Sequence, residues 1–203
     1  MTPAAGILCV GALHFDRLAK CLQPFRAHVS NPVRSIRRAG GVAHNIAGNL
    51  GNLGVRTGLL SLVGADPQGD ALIRDAAEAG LDVSLVATTD KAPTADYVAL
   101  LDADGELAAG FGEMEIYERL NPAHLQPLLA RMSAWPVWVL DGNLPADSLE
   151  FLLQASDGVR VCAAPVSVVK AERWRGRLGS VALYIGNGTE ATTLTGLPVE
   201  NIT

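Results

Sequence analysis

The chain has 203 residues, 49% hydrophobic and 18% charged, a balance that supports one sizeable α/β domain and excludes a disordered chain. A net charge of −5 argues against nucleic acid as the main partner, and no segment has the apolar length that spans a bilayer, so no membrane partner is expected. Cys9, Cys21 and Cys162 are too few and too scattered for a disulfide framework or a zinc site, which fits a reducing, cytoplasmic setting.

Residues 6–13, "GILCVGAL", are a short apolar run of the kind that forms a buried strand. Residues 17–38 follow as an irregular extended arm broken by Pro24 and Pro32. The arm holds six of the 16 Lys and Arg residues (Arg17, Lys20, Arg26, Arg34, Arg37, Arg38) and no acid, a local charge suited to an anionic ligand. Residues 42–53 have helical spacing, and "TGLLSLVG" at 57–64 is a second buried strand. The helix from 66 to 80 has Asp66 as cap, Pro67 in its first turn and Gly80 as stop. A strand at 83–89 precedes a hairpin at 94–112 turned at Asp104-Gly105. A helix at 121–133 with Asn121 as cap leads into alternating strands (137–140, 159–165, 180–187) and helices (146–156, 167–174, 188–196). Such alternation implies a parallel sheet with helices on both faces. The arm and the hairpin fall outside that pattern and suit a small lid sheet.

Ligands of open parallel sheets collect at the carboxyl ends of strands. The polar residues there are Asp16, Asp141, Asn143, Ser167, Lys170, Asn187 and Glu190, joined by the Gly40-Gly41 turn and by Asn45 one turn into the next helix. Gly48, Gly51 and Gly54 recur every third residue within or just after that helix, so they do not form the strand-to-helix glycine pattern of a dinucleotide fold, and a nicotinamide-dependent dehydrogenase is set aside. Their expected role is close helix-to-sheet contact, with Gly54 as stop. Gly40-Gly41 precedes the helix, where backbone N–H groups are free and no Cβ blocks an approaching ligand. His14, His28, His44 and His124 share no metal-binding spacing, and Trp135, Trp138 and Trp174 are expected in the core or at its rim.

"GALHFD", "AGGVAHNIAGNLGNLG", "VGADPQG" and "NGTEATTLTG" together resemble the ribokinase-like (PfkB) carbohydrate kinase family. "SNPVRSIRRAGGVAHNIAGNLGNLG", "GEMEIYERL", "DGNLP" and "PVSVVKAER" are similar to the pseudouridine kinases within it. The resemblance implies a ribokinase-like three-layer α/β/α fold with a mostly parallel sheet and a small β lid, here one partial domain over 1–203 with lid segments at about 17–38 and 94–112. It also implies transfer of a phosphoryl group from ATP, with Mg²⁺, to the 5′-hydroxyl of pseudouridine. Asp16, Gly40, Gly41 and Asn45 would hold the ribose. Asn31 would belong to the closing lid, Thr94 and Tyr97 would line the base, Asn143 and Lys170 would face substrate or phosphates, and Asn187 and Glu190 would organise Mg²⁺ and phosphates through water.

Two departures stand out. Ile185-Gly186 replaces the Lys-Pro that pseudouridine kinases usually carry before that asparagine. Nothing after Glu190 offers the family's Gly-Ala-Gly-Asp motif, so the catalytic Asp and the adenine pocket are expected to be absent from this chain, which would be C-terminally incomplete and bind substrate without turning it over. Another sugar or nucleoside kinase of the family, or a catalytically inactive substrate-binding fragment, are the alternatives. A small-molecule nucleoside or sugar is the expected partner, and the lid is the surface through which a homodimer would form.

Overall fold

The computed structural model describes residues 6–197, so the ends of the expected domain, 1–5 and 198–203, lie outside the described residues. Ten strands run in chain order as β1 (Gly6–Val10), β2 (His14–Cys21), β3 (Val33–Gly40), β4 (Arg56–Gly64), β5 (Asp82–Thr89), β6 (Asp96–Leu101), β7 (Leu107–Glu113), β8 (Val137–Asp141), β9 (Arg160–Ala164) and β10 (Leu183–Tyr184). The α-helices are α1 (Val42–Asn52), α2 (Pro67–Glu78), α3 (Pro122–Leu125), α4 (Leu129–Met132), α5 (Ala146–Gln154), α6 (Val168–Ala171) and α7 (Gly188–Thr195). Six strands form an all-parallel sheet in the order β10-β9-β8-β1-β4-β5. The other four form the lid sheet, β3-β2-β6-β7, with one parallel pair, β2 and β6, at its centre.

β4 shows why the body sheet is read so readily from sequence. Every residue from Thr57 to Gly64 is buried, because both faces of the strand are covered. Leu60 and Leu62 point into one core with Leu8, Val10, Trp138 and Leu140, capped by α5, α3 and the 3-10 turn Glu115–Arg119. Leu59 and Val63 point into a second core with Cys9 and Val139, covered by Ala43 and Ala47 of α1 and Leu72 and Ala76 of α2. The result is the expected three layers. All three tryptophans are buried in or against these cores. Burial pushes the Cys9 thiol up to about 12, aided by the nearby Asp141 and Cys162, so it is an inert core residue.

The basic arm departs from the expectation. It is not irregular: residues 14–21 and 33–40 are antiparallel strands, and only 22–32, with both prolines, forms a loop. The strands escaped notice because β3, "VRSIRRAG", is exposed over its first six residues and shows no apolar alternation. The helix expected over 121–133 is broken into α3, a 3-10 turn over Gln126–Leu128 and α4, since Pro127 has no N–H to continue the ladder. The strand expected over 180–187 shortens to Leu183–Tyr184, and the helix over 167–174 is α6 followed by a 3-10 turn. The glycine stripe is also corrected. A Cβ on Gly48 would meet nothing within 4 Å and one on Gly51 only Leu81 at 3.5 Å, so neither permits a close contact. Gly54, at φ +78°, is the helix stop that was expected.

α2 starts as its sequence dictates, with one addition from far away. The Asp66 carboxylate accepts from the N–H groups of Gln68 (3.0 Å) and Gly69 (2.9 Å) and also from the backbone N–H (2.8 Å) and hydroxyl (2.7 Å) of Thr94. Burial works against the charge, but these donors outweigh it and hold the carboxyl below its usual range. A depressed folded value means the stabilisation is present above the ordinary carboxylate pKa and is lost as pH falls through the folded one. Asp66→Ala is expected to cost about 2 kcal/mol and lower the melting temperature by about 5 °C at pH 7. The gap between variant and parent should narrow on acidification in thermal melts between pH 7 and 3.

Candidate functional site

The chain order of the body sheet reverses at β1. From there the chain proceeds to β4 and β5 on one side, and later to β8, β9 and β10 on the other. A crevice therefore opens beyond the carboxyl ends of β1 and β8. The lid sheet hangs over it because β2 and β3 are inserted between β1 and α1. The cleft so formed has a volume of about 480 Å³. His14, Asp16 and Leu18 of β2, Arg38 of β3 and Tyr97 of β6 form its lid side; Gly41, Val42 and Asn45 its α1 side; Met114, Asn143, Val166, Ser167 and Lys170 complete the wall.

Asp16 is half-buried, and three features aim its carboxylate. His14 lies two residues earlier on the same face of the strand, with Nε2 at 3.2 Å from Asp16 Oδ1. His14 Nδ1 lies 3.3 Å from the Tyr117 hydroxyl, which donates to the Leu13 carbonyl (2.8 Å) and accepts from the Leu13 N–H (3.0 Å). Gly40, across the strand pair, leaves the space that the carboxylate occupies: a Cβ there would sit 2.3 Å from Asp16 Oδ2. Gly40 is thus the seat of Asp16 and not itself part of the lining.

Gly41 begins α1 at φ 100°, where only glycine is unstrained, and brings the helix N-terminus against the β1 turn: a Cβ would meet the Ala12 carbonyl oxygen at 2.3 Å. Asn45, one turn on, is exposed to the cleft, and its Oδ1 lies 3.3 Å from His44 Nδ1. Burial lowers the His44 pKa, with the Asn45 contact opposing it.

The opposite wall is cationic. Lys170 donates to the Asn143 side-chain oxygen. Burial lowers its pKa, while the Asp141 carboxylate pulls back upward. Arg173 holds the turn that carries Asn143 by donating from one nitrogen to the carbonyls of Gly142 (3.3 Å), Asn143 (3.2 Å) and Leu144 (2.7 Å), while its other nitrogen pairs with Glu118 at 3.4 Å. Val166 reaches the wall at φ 77°, a strained value for a β-branched residue, in the turn after which Ser167 caps α6 and Lys170 enters the cleft. The chamber thus offers a carboxylate, two amides and two cations around a wall of Leu18, Tyr97, Met114 and Val166, a set that suits a polyol bearing a flat or anionic substituent.

Of the residues singled out from sequence, Asp16, Gly41, Asn45, Tyr97, Asn143, Ser167 and Lys170 meet in this cleft. Others do not. Thr94 is buried, and its hydroxyl is committed to Asp66 and to the Gly64 N–H (2.9 Å), so it fastens α2 and does not line a base. Asn31 lies in the lid loop with its side chain turned inward, accepting from Arg26 N–H (2.9 Å) and donating to the Arg26 (2.8 Å) and Val29 (3.1 Å) carbonyls. Asn187 and Glu190 form a reciprocal cap at the start of α7, each side chain bonded at 2.9 Å to the other's backbone N–H, outside the cleft. Asp141 is fully buried behind the floor, where burial pushes its carboxyl above the usual range against the pull of its N–H donors. Among the described residues, no group of three His, Cys, Asp or Glu could hold a metal ion.

Sequence reading does not single out Met114 or Tyr117, and it names Arg38 only within the basic arm and His14 only as a histidine without metal-binding spacing. For His14 a signal existed in the His-x-Asp spacing on one strand face. Tyr97 had one as well: its ring lies over Gly110, and a Cβ on that residue would meet the phenol oxygen at 2.6 Å, so the glycines of "GFG" provide its bed.

The pattern of the pfkB family carbohydrate kinases matches residues 4–203. Pseudouridine kinase of Escherichia coli (strain K12) is 29% identical over 191 residues, covering 94% of this chain and 61% of its own length. An ATP-dependent ribose-1-phosphate kinase of Halopiger xanaduensis is 32% identical over 120 residues, 59% of this chain and 40% of the relative. A carbohydrate kinase structure from Agrobacterium tumefaciens superposes with a TM-score of 0.85 at 28% identity, covering 95% of this chain and 64% of that one. The chain therefore spans less than two thirds of these relatives' length. The match over residues 4–203 shows that the chain belongs to the pfkB family of carbohydrate kinases.

Proposed function

We propose that the protein is an ATP-dependent kinase that phosphorylates a primary hydroxyl of a nucleoside, with pseudouridine the preferred acceptor. The observation that carries this reading is the convergence of Asp16, Gly41 and Asn45 on one cleft at the carboxyl ends of β1 and β8. A carboxylate and an amide side by side suit a ribose, whose hydroxyls both donate and accept. Tyr97, Leu18 and Met114 supply a surface for the base, and Lys170 and Asn143 donate to its carbonyls or to phosphate. The similarity to a pseudouridine kinase supports that choice of base.

Phosphoryl transfer needs positioning and charge neutralisation more than covalent chemistry, and the cationic wall is suited to both. Mg²⁺ would arrive on the phosphates of ATP, with Asn187 and Glu190 as its indirect organisers. One Glu190 oxygen also accepts the Asn187 N–H at 2.9 Å. A lid-mediated homodimer is part of the proposal. Ile36 and Phe111, 62% and 63% exposed on the lid, make it testable by sedimentation of the chain and of an Ile36→Glu/Phe111→Glu variant.

One observation favours a second acceptor. Arg38 lines the cleft, and Lys20 and Arg34 stand directly opposite one another on the same lid face, a like-charge pairing that an anionic group would relieve. A sugar phosphate would supply that group, as in the ribose-1-phosphate kinase relative. Calorimetric titration of the chain with pseudouridine, uridine, ribose, fructose and ribose 1-phosphate separates the readings. Tightest binding of pseudouridine is expected. Tighter binding of ribose 1-phosphate, abolished by Arg38→Ala, would transfer the assignment to the second acceptor, and no binding of any of them would overturn both.

A further inference from the structure

The Asp141 carboxylate at the end of β8 faces three backbone N–H groups. Oδ2 accepts from Ala12 at 2.8 Å and from Ala43 at 3.0 Å, and Oδ1 accepts from Asn143 at 2.8 Å. Two of the donors are remote in sequence, Ala12 at 129 and Ala43 at 98 residues away, and the third, Asn143, is in the turn that follows β8. Ala12 is in the turn that leads to Asp16, Ala43 is in the first turn of α1 beside Gly41 and Asn45, and Asn143 itself lines the cleft. The fold makes room for this carboxylate: a Cβ on Gly11 would lie 2.2 Å from Asp141 Cγ. α1, in turn, has no side-chain cap of its own, because Gly41 offers none. Asp141 provides the anion that a helix N-terminus favours, from another strand.

We propose that Asp141 is a positioning residue for substrate binding: one buried carboxylate registers the β1 turn, the start of α1 and the β8 turn against one another, so that Asp16, Asn45 and Asn143 face a single ligand. This rests on the reading of the cleft as the substrate site. The arrangement requires a carboxylate specifically. Both oxygens accept, and an asparagine in either orientation would turn its NH₂ toward at least one of the three N–H donors.

The test compares Asp141→Asn with Leu125→Ala, a substitution of a fully buried residue in the core on the sheet face away from α1. In the unliganded 203-residue chain, Asp141→Asn should speed amide hydrogen exchange at Ala12, Ala43 and Asn143 by about tenfold beyond any rise in the rest of the sheet, and weaken pseudouridine binding by at least about tenfold. Leu125→Ala should lower the melting temperature as much or more, yet leave the three amides in step with the sheet and the affinity within about twofold. Should Asp141→Asn fail to fold, Gly11→Ala, which displaces the carboxylate without removing it, is read in the same way. Exchange in step with the sheet, or unchanged affinity, or an affinity loss matched by Leu125→Ala, overturns the proposal. The exchange comparison needs no ligand, so its result stays distinct from a failure of the parent chain to bind pseudouridine.

Discussion

Gly41→Ala is expected to destabilise the chain by about 3–5 kcal/mol and to remove measurable nucleoside binding. Two costs add. A Cβ at φ 100° is strained by about 1–3 kcal/mol, and it would press on the Ala12 carbonyl oxygen at 2.3 Å and carbon at 2.6 Å. Both contacts are backbone, so no rotamer change relieves them. Relief requires α1 to move away from the β1 turn. That movement breaks the His44 N–H bond to the Ala12 carbonyl (3.2 Å) and draws Asn45 away from Asp16. With domain stabilities of about 5–15 kcal/mol, such a loss approaches unfolding at body temperature. Thermal melts and calorimetric titration check it. A variant that melts within about 2 °C of the parent and binds normally would show that α1 is not docked as described.

Asp16→Asn is expected to do the reverse: weaken affinity by about ten- to a hundredfold while sparing the fold. The amide is isosteric with the carboxylate and keeps one acceptor for His14, while the strand pairing of β2 with β3 and β6 does not involve the side chain. What disappears is an acceptor of two charge-assisted hydrogen bonds from vicinal hydroxyls, worth about 1.5–3 kcal/mol, or about ten- to a hundredfold in affinity. The melting temperature should shift by no more than about 2 °C. An Asp16→Asn chain that binds pseudouridine like the parent would place the ribose elsewhere.

The two variants also mark what the sequence makes legible. Gly41, Asn45 and Asp16 can be read directly because each is needed at one place for one local reason: no Cβ, an amide one turn into a helix, a carboxylate at a strand end; Gly40 is different, since its work as the seat of Asp16 depends on a residue across the strand pair. The parallel sheet is legible from runs such as Thr57–Gly64, whose residues are buried on both faces. What escapes is whatever depends on a distant partner. Thr94 looks like a lid residue until Asp66, 28 residues away, is found holding its hydroxyl. Asn187 and Glu190 show a different limit, since three-residue spacing at a helix start serves the reciprocal cap that the structure has and is also the motif behind their proposed role toward Mg²⁺. Asp141 looks like one more strand-end carboxylate facing a ligand, but its partners are Ala12 and Ala43, and it works from behind the cleft. The lid sheet and its 94–112 hairpin are legible, but the strands of the arm are not, for a different reason. β3 lies on an edge with both faces largely open, so selection for apolar alternation is relaxed.

The most direct measurement of the central claim is a crystal structure of the chain with pseudouridine. The ribose hydroxyls are expected about 2.7–3.2 Å from the Asp16 carboxylate and the Asn45 amide, with the base toward Tyr97 and Lys170. A nucleoside bound outside the cleft, or seated with its base against Asp16 and its ribose toward the lid rim, would contradict it.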